Sequence, residues 1–296
     1  MNNTDHKVKE SLLVLSPQLL IKNTEQKLIS QVQEIYALTF RLMTQGWRRP
    51  SILLTGVLQP LLWLLLFGAL FQNAPIELFS STDNYSSFIG AGIIVFTCFT
   101  GSLNAGLPLI FDREFGFLNR LLSSPIESRY SIVISSSLHI TIVSMLQVSA
   151  IIYTVSLTKN SIPSFSSFLI IGTILFLLSN SITSVSIMLA FILPGHIELL
   201  AFLIAINLPL LFSSTALAPL VFMPSWLQII ACLNPLSYAI EAIRYAYKYN
   251  PNYTNLIIMN TVWGSISLFQ AFLILAILNL LCILLVKHLI SYRLEE

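Results

Sequence analysis

Charged side chains are scarce in this sequence. Asp, Glu, Lys and Arg make up 9% of its 296 residues, against about 25% in an ordinary soluble domain. Too few charges remain to solvate the outside of a soluble protein of this length. That excludes a cytosolic enzyme, a secreted module and a disordered scaffold. The net charge of +2 gives no footing for a nucleic-acid partner. Cysteine is sparse too. Cys98, Cys232 and Cys282 sit in apolar surroundings, with spacings that fit neither a disulfide framework nor a zinc site. The sequence lacks the G-x-x-x-x-G-K-[ST] phosphate loop and the H-E-x-x-H metal motif. His6, His139, His196 and His288 are isolated from one another. The residues therefore predict no catalytic, cofactor-binding or metal set, and a protein that is not an enzyme. Residues 1–27 are polar and mixed in charge, and are expected to form a tail rather than a signal or transit peptide.

What the sequence has instead is long uncharged runs. A helix needs about 20 apolar residues to cross a bilayer. Six runs qualify: Ile52–Phe71, Phe88–Phe111, Ser131–Leu157, Phe165–Leu193, Ile197–Phe222 and Ser265–Val286. Glu198 is the one carboxylate among them. Pro194-Gly195-His196 separates the fourth from the fifth as a very tight turn, because proline and glycine both oppose helix continuation. The expectation is an all-α polytopic membrane protein with six transmembrane helices. The body spans residues 28–290, with a short tail at 291–296.

Six crossings put both termini on one side, and basic residues decide which. Residues 1–51 carry Lys7, Lys9, Lys22, Lys27, Arg41, Arg48 and Arg49; the loop after the second span carries Arg113, Arg120 and Arg129; the C-terminus carries Lys287 and Arg293. The opposite side carries Lys159, Arg244 and Lys248. Twelve against three places both termini on the cytosol-like side. Trp47, Trp226 and Trp263 flank spans, as interfacial aromatics do.

Three segments lie outside the spans. Residues 28–43 show helical periodicity, with Leu28, Val32, Ile35, Tyr36, Thr39, Leu42 and Met43 on one stripe. Such a helix lies in the headgroup plane or packs on cytosolic protein. The loop from Asp112 to Pro125 places Phe115, Leu118 and Leu122 at helical spacing, as it does Phe117 and Leu121. Asp112, Arg113, Glu114 and Arg120 supply its polar surface, and Pro125 ends it. It reads either as a short amphipathic helix that docks in a partner's groove or as an ordinary positive-inside loop. Between spans five and six, an apolar stretch, Trp226–Leu233, is broken by Asn234-Pro235 and followed by an amphipathic run bearing Tyr238, Glu241 and Arg244. That pattern fits a re-entrant helical hairpin or a surface-lying loop. Glu241 and Arg244, three apart, are placed to pair on a helix in a structural role.

Within the spans, Asn104, Gln147, Asn180 and Asn207 are expected to fasten helix to helix. Gly101/Ala105 and Ser102/Gly106 are small-xxx-small pairs, and Pro108 and Pro209 are expected kinks. Ion-coupled carriers usually need intramembrane carboxylates or bases. Almost none are present here, so the driving energy points to a separate subunit.

Taken together, these residues resemble a known family. The features that carry the likeness are the six-span plan, Arg48-Arg49-Pro50, Gln59-Pro60-Leu61-Leu62-Trp63 with Phe67-Gly68, the loop Asp112–Pro125, and Asn234-Pro235-Leu236-Ser237-Tyr238 through Glu241 and Arg244. They look like the ABC-2 permeases, the membrane subunits of ABC exporters. The resemblance implies two permeases, identical or different, assembled with two ATPase subunits. ATP and Mg would then be held by the partner chain and no cofactor by this one. It implies that the segment containing Asp112, Arg113, Glu114, Phe115, Gly116, Leu118, Arg120, Leu121, Leu122 and Pro125 is a coupling helix on the ATPase. It implies that residues 28–46 form an interfacial connecting helix, and residues 226–247 a re-entrant element including Asn234, Pro235, Tyr238, Glu241 and Arg244. A composition rich in Ile, Asn and Ser resembles the cyanobacterial and algal-plastid branch, favouring a plastid membrane over a bacterial inner membrane. The rival functions are an ion-coupled carrier or channel, and a non-transporting assembly factor of the same fold.

Overall fold

A computed structural model describes residues 24–71, 85–123, 130–159, 164–248 and 257–295. The described chain is helical almost throughout. Helix α1 (Thr24–Trp47) leads, after a two-residue break, into α2 (Pro50–Leu70). Pro50 is the first residue of α2, where its missing N–H costs nothing and its fixed φ suits the helix. Then come α3 (Tyr85–Leu103), α4 (Gly106–Glu114), α5 (Phe117–Leu122), α6 (Tyr130–Lys159), α7 (Phe165–Ile192) and α8 (His196–Phe212). A 3₁₀ turn (Leu220–Phe222) precedes α9 (Ser225–Leu233) and α10 (Pro235–Lys248). An antiparallel hairpin, β1 (Ile257–Thr261) and β2 (Gly264–Ser267), delivers the chain to α11 (Leu268–Glu295).

Segments Leu53–Leu70, Phe88–Glu114, Tyr130–Ser156, Phe165–Ile192 and Leu268–Leu289 are long and apolar enough to cross a bilayer. The second is the centre of the molecule. Ile89, Ile94, Val95, Cys98, Phe99 and Ile110 are all buried, and it packs on α2, α6, α7 and α10. The first stands at the edge, with Leu54, Leu58, Leu62, Leu65, Leu66 and Leu70 exposed. Apolar side chains facing outward are what a bilayer, as solvent, requires.

The expected second span, Phe88–Phe111, reaches Glu114 and is broken at Asn104-Ala105. Pro108 explains the break, since its ring excludes the carbonyl four residues earlier and it has no N–H to donate. That carbonyl, of Asn104, is taken by the N–H of Leu107 instead (3.2 Å). Ser186 of α7 repairs the rest. Its Oγ donates to the carbonyl of Leu103 (2.5 Å) and accepts the N–H of Gly106 (2.9 Å). Gly106 lies so close that an added Cβ would overlap the Ser186 carbonyl oxygen and stand 3.1 Å from the Ala190 Cβ.

The expected fifth span, Ile197–Phe222, is corrected. Its helix ends at Phe212, giving 17 residues, or about 25 Å at 1.5 Å per residue. The segment still runs the full depth of the second span. His196 is bonded to Glu114 at one end, and Thr215 and Ala216 meet Arg244, which also binds the Phe88 carbonyl, at the other. Beside the five candidate spans among the described residues, α8 is a shorter apolar helix. Residues 265–267, expected within the sixth span, pair in β2 instead, so α11 begins at Leu268. The two-stranded hairpin is an addition to the all-α architecture.

The asparagine fasteners are partly realised. Asn180 accepts from Ser137 Oγ (2.9 Å) and donates to Asn279 Oδ1 (3.3 Å), tying α7 to α6 and α11. Asn207 Oδ1 is buried with no hydrogen-bond partner among the described residues, and Asn104 is exposed at the break. The polar tail lies outside the described residues except for its last four, which begin α1.

Candidate functional site: the two ends of the second span

At one end of the second span three consecutive charged residues point in three directions. Asp112 pairs with Arg41 of α1 (Nη2 to Oδ2, 3.2 Å). The Arg41 guanidinium also covers the Phe117 ring, 3.8 Å from its centroid. Arg113 reaches the end of α7, where it donates to the carbonyls of Ala190 (2.9 Å), Leu193 (2.5 Å) and Pro194 (2.7 Å). Glu114 reaches the start of α8. It accepts the backbone N–H of His196 (2.6 Å), and its second oxygen shares a 2.5 Å hydrogen bond with His196 Nδ1. A cation thus sits on a helix C-terminus and an anion on a helix N-terminus. Each satisfies orphan backbone groups and matches the local helix dipole.

The resemblance implies one coupling helix through Arg113–Leu122. The structure ends α4 at Glu114 and restarts at Phe117, with Gly116 between at φ +71°. The Gly116 N–H returns to the Arg113 carbonyl (3.2 Å), closing the helix end in a left-handed conformation that favours glycine. Phe115 projects fully, at 79% exposure, and Arg120 is also exposed. Leu118 is not docking surface. At 5% exposure it belongs to the protein's own core. Leu121 and Leu122 lie in α5, and Pro125 lies outside the described residues. Of the four polar residues expected to face a partner, Asp112, Arg113 and Glu114 turn inward to this chain's own elements.

At the other end of the span lie the residues expected in the re-entrant element. Helices α9 and α10 meet at 82° across Asn234. Pro235 begins α10, and Asn234 Oδ1 accepts the N–H of Leu236 (3.0 Å). Asn234 Nδ2 donates to the Leu210 carbonyl (2.8 Å), one of the orphan acceptors at the end of α8. The Tyr238 hydroxyl donates to the Cys232 carbonyl (2.5 Å). Arg244 pairs with Glu241 (2.5 Å) and donates to the carbonyls of Phe88 (3.3 Å) and Thr215 (2.6 Å). Its guanidinium lies 3.5 Å from the Phe88 ring centroid. Non-helical backbone at membrane depth is tolerated where protein satisfies it. Asn234 and Arg244 do that for residues 210–216.

Helix α1 inverts the usual surface logic. Its charged Glu34 and Arg41 are turned to the protein, Glu34 accepting from Ser131 Oγ (3.2 Å). Ile29, Val32, Tyr36, Phe40 and Trp47 are exposed. Sequence reasoning missed Ser186, His196 and Arg41 as partners in this architecture. Pro108 signals that a backbone acceptor needs help, but nothing local names Ser186 as the helper.

Among the described residues no group of three His, Cys, Asp or Glu side chains is placed to hold a metal ion. The architecture defines a multi-pass helical membrane subunit, with a small protruding knuckle at one end of its central span and a bent helical pair at the other. It belongs to the ABC-2 type transporter family, whose profile matches residues 33–247. It is 51% identical over 282 residues to a Pyropia yezoensis protein named "Putative transport permease ycf38", covering 95% of this chain and 97% of the relative. Relatives of the same name from Porphyra purpurea (53% identical, 89% and 91% covered) and Cyanophora paradoxa (51%, 88% and 90%) are similar along nearly their whole length.

Proposed function

We propose that this chain is the membrane permease of an ABC exporter, powered by ATP hydrolysed on a separate ATPase subunit. The observation that carries this reading is the knuckle Phe115–Arg120, with Phe115 and Arg120 exposed, on the innermost span of an ABC-2 family protein. In this scheme ATP binding draws two ATPases together and presses on Phe115 and α5. The load passes into α4, tilts the second and third spans, and opens a route between two permease copies. The exposed apolar face of α2 supplies area for the second copy or for lipid. The knuckle and both termini face the stroma or cytosol, α1 lies in the headgroup plane on its exposed Ile29, Val32, Tyr36, Phe40 and Trp47, and α9–α10 re-enter from the opposite side. Relatives from red algae and a glaucophyte support a plastid membrane.

The test is purification of the tagged protein from native membranes in mild detergent. A co-purifying ATPase with a phosphate loop, lost on Phe115→Asp with the fold retained, is the expected outcome. Purification with no ATPase, together with flux driven by an ion gradient alone, overturns the reading. The buried His139, whose Nδ1 has no hydrogen-bond partner among the described residues, is the observation that favours such ion coupling. Loss of that flux in His139→Ala would identify it.

A further inference from the structure

We propose that Arg113 and Glu114 are positioning residues that join the inner end of the second span to the turn between the fourth and fifth, so that a load on the knuckle reaches α8. The inference rests on the permease reading above. The two residues close opposite ends of one short turn. Arg113 holds the carbonyls of Ala190, Leu193 and Pro194, which end α7. Glu114 holds the N–H and imidazole of His196, which begin α8. They are adjacent in sequence and immediately precede Phe115, whose ring is exposed. A displacement of Phe115 therefore moves both.

The turn they grip also sets the His196 ring against Phe111, 5.0 Å between centroids, but the helix that follows is lightly packed. Helix α8 exposes Ile197, Leu200, Phe202, Ile204, Leu208 and Phe212, and buries only Leu199, Leu203 and Leu211. A helix so lightly packed follows its charged, directional anchors more than its apolar contacts. At its inner end those anchors are the Glu114 bonds. Backbone groups serve as acceptors and donors here, so the grip depends on this turn's geometry and not on its side chains, His196 excepted. Gly195 fits the same close approach, because an added Cβ would stand 2.7 Å from Glu198 Oε2 and 3.1 Å from Glu114 Oε1.

The experiment uses the full chain with its co-purified ATPase and two single-cysteine reporters. One is Ser123→Cys at the end of the knuckle, and the other is Ile197→Cys at the start of α8. The native cysteines Cys98, Cys232 and Cys282 are buried and give little background. Maleimide labelling rates are read with and without ATP and vanadate. Both reporters are expected to respond to nucleotide. Arg113→Ala with Glu114→Ala should cut the Ile197→Cys response about fivefold or more, a coupling of ordinary allosteric size, and leave the Ser123→Cys response in place. Glu114→Gln, whose amide oxygen still accepts from His196, should restore most of it. A merely structural role would change expression or labelling without nucleotide, and not the ratio between the two reporters. An unchanged Ile197→Cys response in the double variant overturns the joint alone. Silence of both reporters in the otherwise native protein overturns the permease reading, and the joint with it.

Discussion

Ser186 and Gly106 meet across a proline-induced break, with the serine hydroxyl accepting the glycine N–H at 2.9 Å while donating to the Leu103 carbonyl. One side chain thus stands in for two backbone partners that are lost where the second span breaks. The break sits between the buried upper helix and the segment that carries Asp112, Arg113 and Glu114, so its geometry sets where those charges land.

Two substitutions probe this contact. Ser186→Ala leaves a buried donor and a buried acceptor unpaired and should destabilise by about 1–3 kcal/mol. Gly106→Ala forces a methyl against the Ser186 backbone and should cost about as much through overpacking. Both are read as a lowered thermal midpoint of the detergent-solubilised protein. A Gly106→Ala midpoint equal to the parent's would show that the helices are further apart than described.

Leu118 and Phe115 should separate folding from docking. Leu118→Asp buries a carboxylate in the protein's own core, at a site 5% exposed, and is expected to abolish folded yield. Phe115→Asp replaces a solvent-facing ring and should leave yield and monodispersity intact while weakening ATPase retention. Size-exclusion profiles and co-purified ATPase per permease measure the two effects. A well-folded Leu118→Asp variant would contradict the burial.

Arg244 gathers the Phe88 and Thr215 carbonyls and the Glu241 carboxylate at one point. Removing it leaves a largely buried carboxylate and several acceptors unpaired. Arg244→Ala is expected to cost about 3–5 kcal/mol. Arg244→Lys should recover only part of this, because an ammonium lacks the planar fork. Thermal unfolding of the two variants, alone and combined with Glu241→Gln, measures the coupling.

Membrane orientation is checked with a cysteine at Asn119 and another at Trp263. The first should label with an impermeant maleimide from the stromal or cytosolic side only, and the second from the opposite side only. Labelling of both from one side would contradict the six expected crossings, because α6, α7 and α8, an odd number, lie between them.

Much of the architecture was legible because it rests on local signals. The uncharged runs mark the spans, Pro194-Gly195 marks the turn after Ile192, and Asn234-Pro235 marks the bend between α9 and α10. The expected i,i+3 pair of Glu241 and Arg244 forms as a helix dictates. The end of the fifth helix was less legible. Ile197–Phe222 is apolar throughout, and hydropathy does not register where irregular backbone can be satisfied by a distant Asn234 or Arg244. The β-hairpin was hidden for a related reason. Ser265–Ser267 read as the start of an apolar run, and their strand pairing depends on residues 257–261 folding back on them.

The sequence by itself determined that this chain lives in a bilayer, roughly where it crosses, and where its one charged knuckle lies. Those properties follow from how many apolar residues stand in a row and where proline and glycine interrupt them. Only the tertiary structure decided which way Asp112, Arg113 and Glu114 turn, and that Leu118 is core while Phe115 is surface. The partners of those charges, Arg41, the end of α7 and His196, lie 71 to 82 positions away. Neighbours at that separation are chosen by which helices pack together, and a pattern of residues along one helix carries no record of it.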